Sequence, residues 1–358
     1  MGWSPERETA FAEHAEAGFV PGRVVSQERD VVHAVTAQGL VDVRMQRGFR
    51  RSAAPGSFPT VGDWIALEPM AGGDGALRAV LKRSSAFTRG QSERGGRASG
   101  QLLASNVDTA LLVAALDRDY NLRRIERYLA LAWASGAAPV ILLNKADLCD
   151  DVPARVAEVA AIASQTPIHP ISARTRSGLE VLDRYLVPGQ TLVLLGSSGV
   201  GKSTITNMLL GDQRQAVQTV REDDHRGRHT TVGRELFVLP GGALLIDTPG
   251  LRAVGLVDSD EGLDAAFADI ASLAQGCRFI DCSHTVEPGC AVRAAIESGE
   301  LAETRLHSQQ KLQREIAATE RRSSPARSRA EARRFERSIR SSCRIQDRLK
   351  GRLDSDRS

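Results

Sequence analysis

A chain of 358 residues, 42% hydrophobic and 25% charged, has the make-up of a soluble protein of two or three domains. It holds no run of about 18 apolar residues, which excludes a membrane-spanning helix. Its opening residues, MGWSPERETAFAEHAEAG, are charged and lack the apolar stretch of a secretory signal, so a cytoplasmic protein is expected. Five cysteines in a reducing compartment serve as ligands or free thiols and not as a disulfide framework. The net charge of +3 conceals an asymmetry: from Arg305 onward there are 16 Lys/Arg against 7 Asp/Glu, a net of +9, so the rest carries −6. A basic end on an acidic body points to a polyanionic partner.

Residues 1–21 read as a polar leader. Over 22–88 the pattern changes to short β-like runs, GRVVSQ, VVHAVTA, LVDVRM, DWIALEP and ALRAVLK, punctuated by Gly, Pro and Asp. They predict a small all-β barrel or sandwich. The length suits a five-stranded OB-fold, a platform for oligonucleotides, and an SH3-like barrel fits the same pattern. The Gly/Ser/Arg-rich stretch RGQSERGGRASG places a linker over 89–104. From 105 to 258 apolar strands (DTALLVAAL, APVILLN, TLVLLG, ALLIDT) alternate with helical stretches, which predicts an α/β domain with a mainly parallel sheet. Residues 259–320 read as a helical region interrupted by a Cys/His cluster, and 321–358 as a basic tail.

Within 105–258 the chemistry lies in short motifs. NKAD (144–147) closes the strand APVILL. The Asn144 amide suits the O6 and N7 side of guanine. The Asp147 carboxylate suits N1–H and N2–H₂, donors that adenine lacks and without which a buried carboxylate is left poorly paired. Lys145 would stack its stem on the base. Ser172 and Ala173, after TPIHPI, stand where GTPases bring a backbone N–H to O6, a tripeptide informative only through its position.

GSSGVGKST (196–204) follows TLVLL, opens a helix and fits G-x-x-x-x-G-K-[ST]. Gly196, Gly199 and Gly201 let the backbone through Ser197, Ser198 and Val200 turn its N–H groups toward phosphate oxygens, with the helix dipole behind them. Lys202 would neutralise the β- and γ-phosphates, Ser203 would ligate Mg²⁺, and Thr204 completes the motif. In GRHTTVGREL (227–236), Thr230 or Thr231 is a switch residue that would close on Mg²⁺, while His225 just before it reads as a surface histidine. DTPG (247–250) ends the strand ALLI. There Asp247 would reach Mg²⁺ through water and the Gly250 N–H would sense the γ-phosphate. Leu251 stands where Ras-like GTPases carry a water-positioning Gln. An apolar side chain cannot orient water, so intrinsic hydrolysis is expected to be slow, with His229 the candidate to supply the role once a partner orders it.

Cys277, Cys282, His284 and Cys290, spaced C-x₄-C-x-H-x₅-C, offer three thiolates and an imidazole, a closed tetrahedral shell for one structural Zn²⁺. Cys149 and Cys343 stand apart as free thiols.

The order of the motifs is unusual. Ordinary GTPases read phosphate loop, switch I, DxxG, NKxD, SA; here NKAD and SAR precede the phosphate loop, RHTT and DTPG. The same sheet is reachable when the original termini lie close together. With VGDW (61–64), SNVD (105–108), DTPGLR and the cluster followed by EPGCAV, the chain from about 22 to 320 resembles the ribosome small subunit-dependent GTPase A (RsgA/YjeQ) family of bacteria. The resemblance implies a circularly permuted P-loop GTPase domain between an N-terminal OB-fold and a C-terminal helical zinc-binding domain. It implies a GTPase with Mg²⁺ that binds the 30S ribosomal subunit and 16S rRNA, is stimulated by that subunit, and acts late in its maturation before release. It carries 144–147 and 196–204 over to GTP and the four cluster residues to zinc, and Leu251 matches the family's apolar residue. A monomer is expected. The eight arginines between Arg321 and Arg340 fit either a solvated helix face or contact with RNA phosphates. Two other readings stand beside a stimulated switch enzyme: a slow-turnover, GTP-dependent placeholder on RNA, and a GTPase serving a non-ribosomal cargo.

Overall fold

The computed structural model of the chain describes residues 1–28, 31–46, 57–70, 72–90, 100–163, 165–211, 234–247 and 260–323. The five predicted short strands form as β1 (Val20–Glu28), β2 (Val31–Thr36), β3 (Gly39–Arg44), β4 (Trp64–Pro69) and β5 (Gly75–Val80). They close in the order β1-β2-β3-β5-β4-β1, parallel at β3–β5 and antiparallel at every other seam. That is the five-stranded OB-type barrel. Val24, Val32, Ala34, Val43, Ile65, Leu67 and Leu77 fill it.

The stretch read as a polar leader contains helix α1 (Pro5–Glu16), capped by the Ser4 hydroxyl. Phe11 packs with Trp64, Ala66 and Leu81 against the barrel. One large apolar side chain among charged neighbours is too thin a stripe to announce a helix. The ends of the stretch read as a linker belong to a hairpin, β6 (Ala86–Gly90) with antiparallel β7 (Gly100–Ser105).

The central sheet runs β10 (Ile168–Pro170), β9 (Ala138–Asn144), β8 (Thr109–Ala115), β11 (Thr191–Leu195), β13 (Leu244–Asp247), all parallel, with β12 (Arg234–Val238) antiparallel beside β13. Both faces are covered, as such a sheet requires. Leu112, Ile141, Val193 and Ile246 enter one core, while Leu111, Leu142, Leu192 and Leu245 enter the other. Helices α2 (Leu122–Ser135), α3 (Val152–Ile162) and α4 (Lys202–Leu210) connect the strands.

Strand β1 also pairs with β12 through Ser26↔Glu235 and Gln27↔Arg234, which joins the barrel to the central sheet. VGDW and SNVD form a lock beside that join. The buried Asp63 carboxylate accepts from Ser105 Oγ at 2.6 Å and from Arg83 Nε at 2.7 Å. Asn106 Nδ2 donates to the Gly62 carbonyl at 3.0 Å. Gly62 has φ +94°, and a Cβ there would lie 2.1 Å from the Ser105 carbonyl oxygen, so only glycine fits.

Beyond β13 come α5 (Asp260–Ala266), α6 (Ala268–Ala274), α7 (Ala291–Glu297) and α8 (Glu303–Ser323). Phe267, Ile270, Val292, Leu306 and Leu312 share one core with Leu129 and Ala130 of α2. No helix among the described residues is long and apolar enough to cross a membrane.

Candidate nucleotide site and metal cluster

The phosphate loop leaves the C-terminal end of β11 and enters α4, and NKAD leaves the C-terminal end of β9, so both motifs stand at the edge where open α/β sheets bind ligands. Gly196, Gly199 and Gly201 all have positive φ. At Gly201 (φ +100°) a Cβ would lie 2.2 Å from Asn144 Nδ2, so the loop needs glycine both for its turn and for its approach to NKAD. The Lys202 ammonium arches back over the loop to the carbonyls of Gly196, at 2.7 Å, and Ser197. Ser203 and Thr204 are exposed in the first turn of α4, and Ser198 and Gly199 are exposed at the loop's crown.

Asn144 is buried and makes two internal bonds. Its Nδ2 donates to the Val200 carbonyl at 2.8 Å, and its Oδ1 accepts from the Ala173 N–H at 2.9 Å. The side chain therefore ties the phosphate loop to the SAR segment, a role that NKAD as a motif does not announce. Lys145 adopts φ +62° and its ammonium pairs with Asp117 at 2.7 Å. Asp147 accepts from Ser172 Oγ at 2.6 Å and pairs with Arg174 at 3.1 Å. The Ser172 hydroxyl, helped by a backbone N–H and by the charge of Arg174, holds the Asp147 carboxyl below its ordinary range.

Sequence reasoning missed the loop between β8 and α2. Asp117 reaches Lys145, while Asp119 and Arg124 reach Ser197 of the phosphate loop. The available signal was their position just after the C-terminal end of a parallel strand. Asp247 closes β13 with an exposed side chain. His225, His229, Thr230, Thr231, Gly250 and Leu251 lie outside the described residues, as do the arginines beyond Ser323.

The structure brings Cys277, Cys282, His284 and Cys290 together, with their ligand atoms all within 4.8 Å of one another. Cys277 Sγ and Cys290 Sγ lie 3.9 Å apart, and His284 Nδ1 lies 3.6 Å and 3.4 Å from them. A tetrahedral Zn²⁺ shell has edges of about 3.5–3.8 Å, so the donor set fits that ion. Burial pushes the Cys282 thiol up to about 11 and holds His284 below its ordinary value, toward the neutral imidazole that binds metal. Burial also opposes ionisation of Cys277, but the N–H groups of Val292 and Ala291 at the start of α7, together with hydrogen bonds from Cys290 and Cys282, outweigh it and lower that thiol.

A glycine-rich phosphate loop, a guanine-type NKAD loop bonded to it, and a strand order in which NKAD precedes the phosphate loop define a circularly permuted P-loop GTPase. The family model described as RsgA GTPase matches residues 80–257. The small ribosomal subunit biogenesis GTPase RsgA of Streptomyces coelicolor is 48% identical over 93% of this chain and 90% of its own length. Its namesake in Opitutus terrae is 46% identical over 99% of both. YjeQ from Thermotoga maritima superposes with a TM-score of 0.63 at 28% identity, covering 84% of this chain and 99% of that one. YloQ, described as a circularly permuted GTPase, shares the fold with a TM-score of 0.61 at 23% identity, covering 84% of this chain and 96% of its own. The chain belongs to the RsgA GTPase family and is a GTP-hydrolysing enzyme.

Proposed function

We propose that this chain binds the 30S ribosomal subunit through 16S rRNA, as a cytoplasmic monomer, and couples GTP hydrolysis to late subunit maturation and its own release. The observation that carries the reading is the joining of the GTPase sheet to an OB-type barrel on one side and a packed Cys/His-bearing helical region on the other. It agrees with the names of the relatives. Asp147, with the second N–H of the Asn144 amide and the backbone near Ala173, reads guanine; Lys145 lies on the base. Residues 196–204 take the phosphates, with Lys202 moving from the loop carbonyls onto them. Ser203, Asp247 through water, and Thr230 or Thr231 would hold Mg²⁺, which offsets phosphate charge when bound. The Gly250 N–H senses the γ-phosphate, and His229 orients the attacking water.

The test is GTP turnover with and without purified 30S subunits. Stimulation on the order of 10³ or more is expected by analogy with partner-completed GTPase sites. His229→Ala should lose most of it while keeping GTP affinity. Unstimulated turnover would favour the slow placeholder instead, and a His229→Ala variant with full stimulation would remove the histidine from the mechanism.

Cys277, Cys282, His284 and Cys290 would hold one structural Zn²⁺, cross-linking the segment ahead of α7. Metal analysis of the full chain should find about one zinc per molecule. A Cys282→Ser variant should lose that zinc and gain protease cleavage between 277 and 290. Wild-type protein free of zinc yet equally protease-resistant would refute this assignment.

A further inference from the structure

The loop from β8 into α2 carries a cluster that the reaction as described does not use. Asp117 Oδ1 accepts from the Asp119 N–H at 2.9 Å and so orients the following carboxylate. Asp119 Oδ2 accepts from Arg124 Nη1 at 2.5 Å. The same Nη1 donates to Ser197 Oγ at 2.9 Å, and Ser197 Oγ lies 3.3 Å from Asp119 Oδ2. Three polar groups from two segments far apart in sequence thus close on one another at the first turn of the phosphate loop. They line a narrow crevice with Tyr128 and Val200.

Ser197 stands between two cations: its hydroxyl meets Arg124, while its carbonyl accepts from Lys202. Where the loop's first turn sits therefore depends on both. Arg124 and Asp119 have side chains 35% and 52% exposed, and an ion pair that open contributes little to fold stability. The contact with Ser197 is different, because it fixes backbone whose N–H groups must already face the phosphates when they arrive.

We propose that Arg124 is a positioning residue of the phosphate loop, held by Asp119 and acting through Ser197. The proposal rests on the reading of residues 196–204 as the phosphate site. Its effect falls on nucleotide retention: with the loop's first turn released, bound nucleotide leaves faster.

The test uses the full-length protein as wild type, Arg124→Ala, Ser197→Ala, the double variant and Arg124→Lys. Release of a fluorescent GDP analogue is followed by stopped flow, together with KM and kcat for GTP and the melting temperature. Loss of one charge-assisted hydrogen bond predicts about tenfold faster release in each single variant. The double variant should be no faster than either single one, because the two side chains make one contact. The Lys variant, which keeps the charge on a side chain that ends one atom short of the guanidinium Nη1, should fall between wild type and Ala. KM should rise by more than kcat falls, with little change in melting temperature. Release within about twofold of wild type in both single variants, or a double effect equal to the product of the single ones, overturns the proposal. A wild-type chain that fails to bind the GDP analogue at all would instead overturn the phosphate-site reading beneath it.

Discussion

Asp147→Asn is expected to turn this GTPase into an enzyme that prefers XTP. The carboxylate stands in the short turn Ala146–Leu148, set by the left-handed Lys145 before it and by the Ser172 hydroxyl 2.6 Å from one oxygen. Guanine offers that carboxylate two N–H donors. A carboxamide keeps one acceptor but turns an NH₂ toward the base, so one donor meets another. Xanthine carries a carbonyl where guanine carries its amino group, and the new NH₂ then has an acceptor. Sites built on hydrogen bonding discriminate strongly when a partner is missing, so kcat/KM for GTP should fall on the order of 10³-fold. Turnover of XTP should come within about tenfold of the wild-type rate on GTP. Steady-state kinetics on both nucleotides checks this. A variant that loses GTP turnover without gaining XTP turnover would mean that Asp147 serves the fold and not the base.

What the sequence discloses about this molecule follows from how local each piece of chemistry is. GSSGVGKST and the C-x₄-C-x-H-x₅-C spacing carry their function within about a dozen residues, so they can be read before any contact is known. The barrel strands were legible for the same reason, since alternation is a property of one strand at a time. The choice of an OB-type barrel over an SH3-like one came from length and from the family resemblance and not from strand alternation, because it depends on the parallel seam between β3 and β5, which neither strand encodes alone. Asn144 shows the limit within a legible motif. NKAD names the residue, but its bonds to Val200 and Ala173 are made across 56 and 29 positions of chain. The same holds for Asp119 and Arg124, which sequence alone presents as charges just before and in the first turn of an amphipathic helix. It holds too for VGDW and SNVD, recognisable as strings but intelligible only as a lock once Asp63 is seen buried beside Ser105.

A long-range buried ion pair carries the largest expected loss of stability. Glu126, on the GTPase helix α2, is fully buried and accepts from Arg305 Nη1 of α8 at 2.9 Å, across 179 positions. Arg305 is itself buried. It also grips Asp269 through Nε at 2.6 Å and Nη2 at 2.9 Å, donates to the Ala266 carbonyl, and lies 4.5 Å over the ring of Phe267. Arg123 and Ser308 complete the shell around Glu126. Arg305→Met keeps much of the volume but leaves Glu126 with one partly exposed cation and a hydroxyl. Removing one partner from a buried ion pair costs about 3–5 kcal/mol, because the remaining charge is still desolvated. Urea unfolding should register that loss. The Glu126→Leu/Arg305→Met double variant should recover most of it, since the carboxylate that could not be hydrated is gone and Asp269 is open enough to remain so. If Arg305→Met unfolds within about 1 kcal/mol of wild type, the network does not hold α8 to the GTPase domain. If it behaves as expected, the N-terminal end of α2 is fastened to the C-terminal region through Glu126, two residues from Arg124, which touches the phosphate loop. An RNA-bound C-terminal region would then have a direct physical route to the nucleotide.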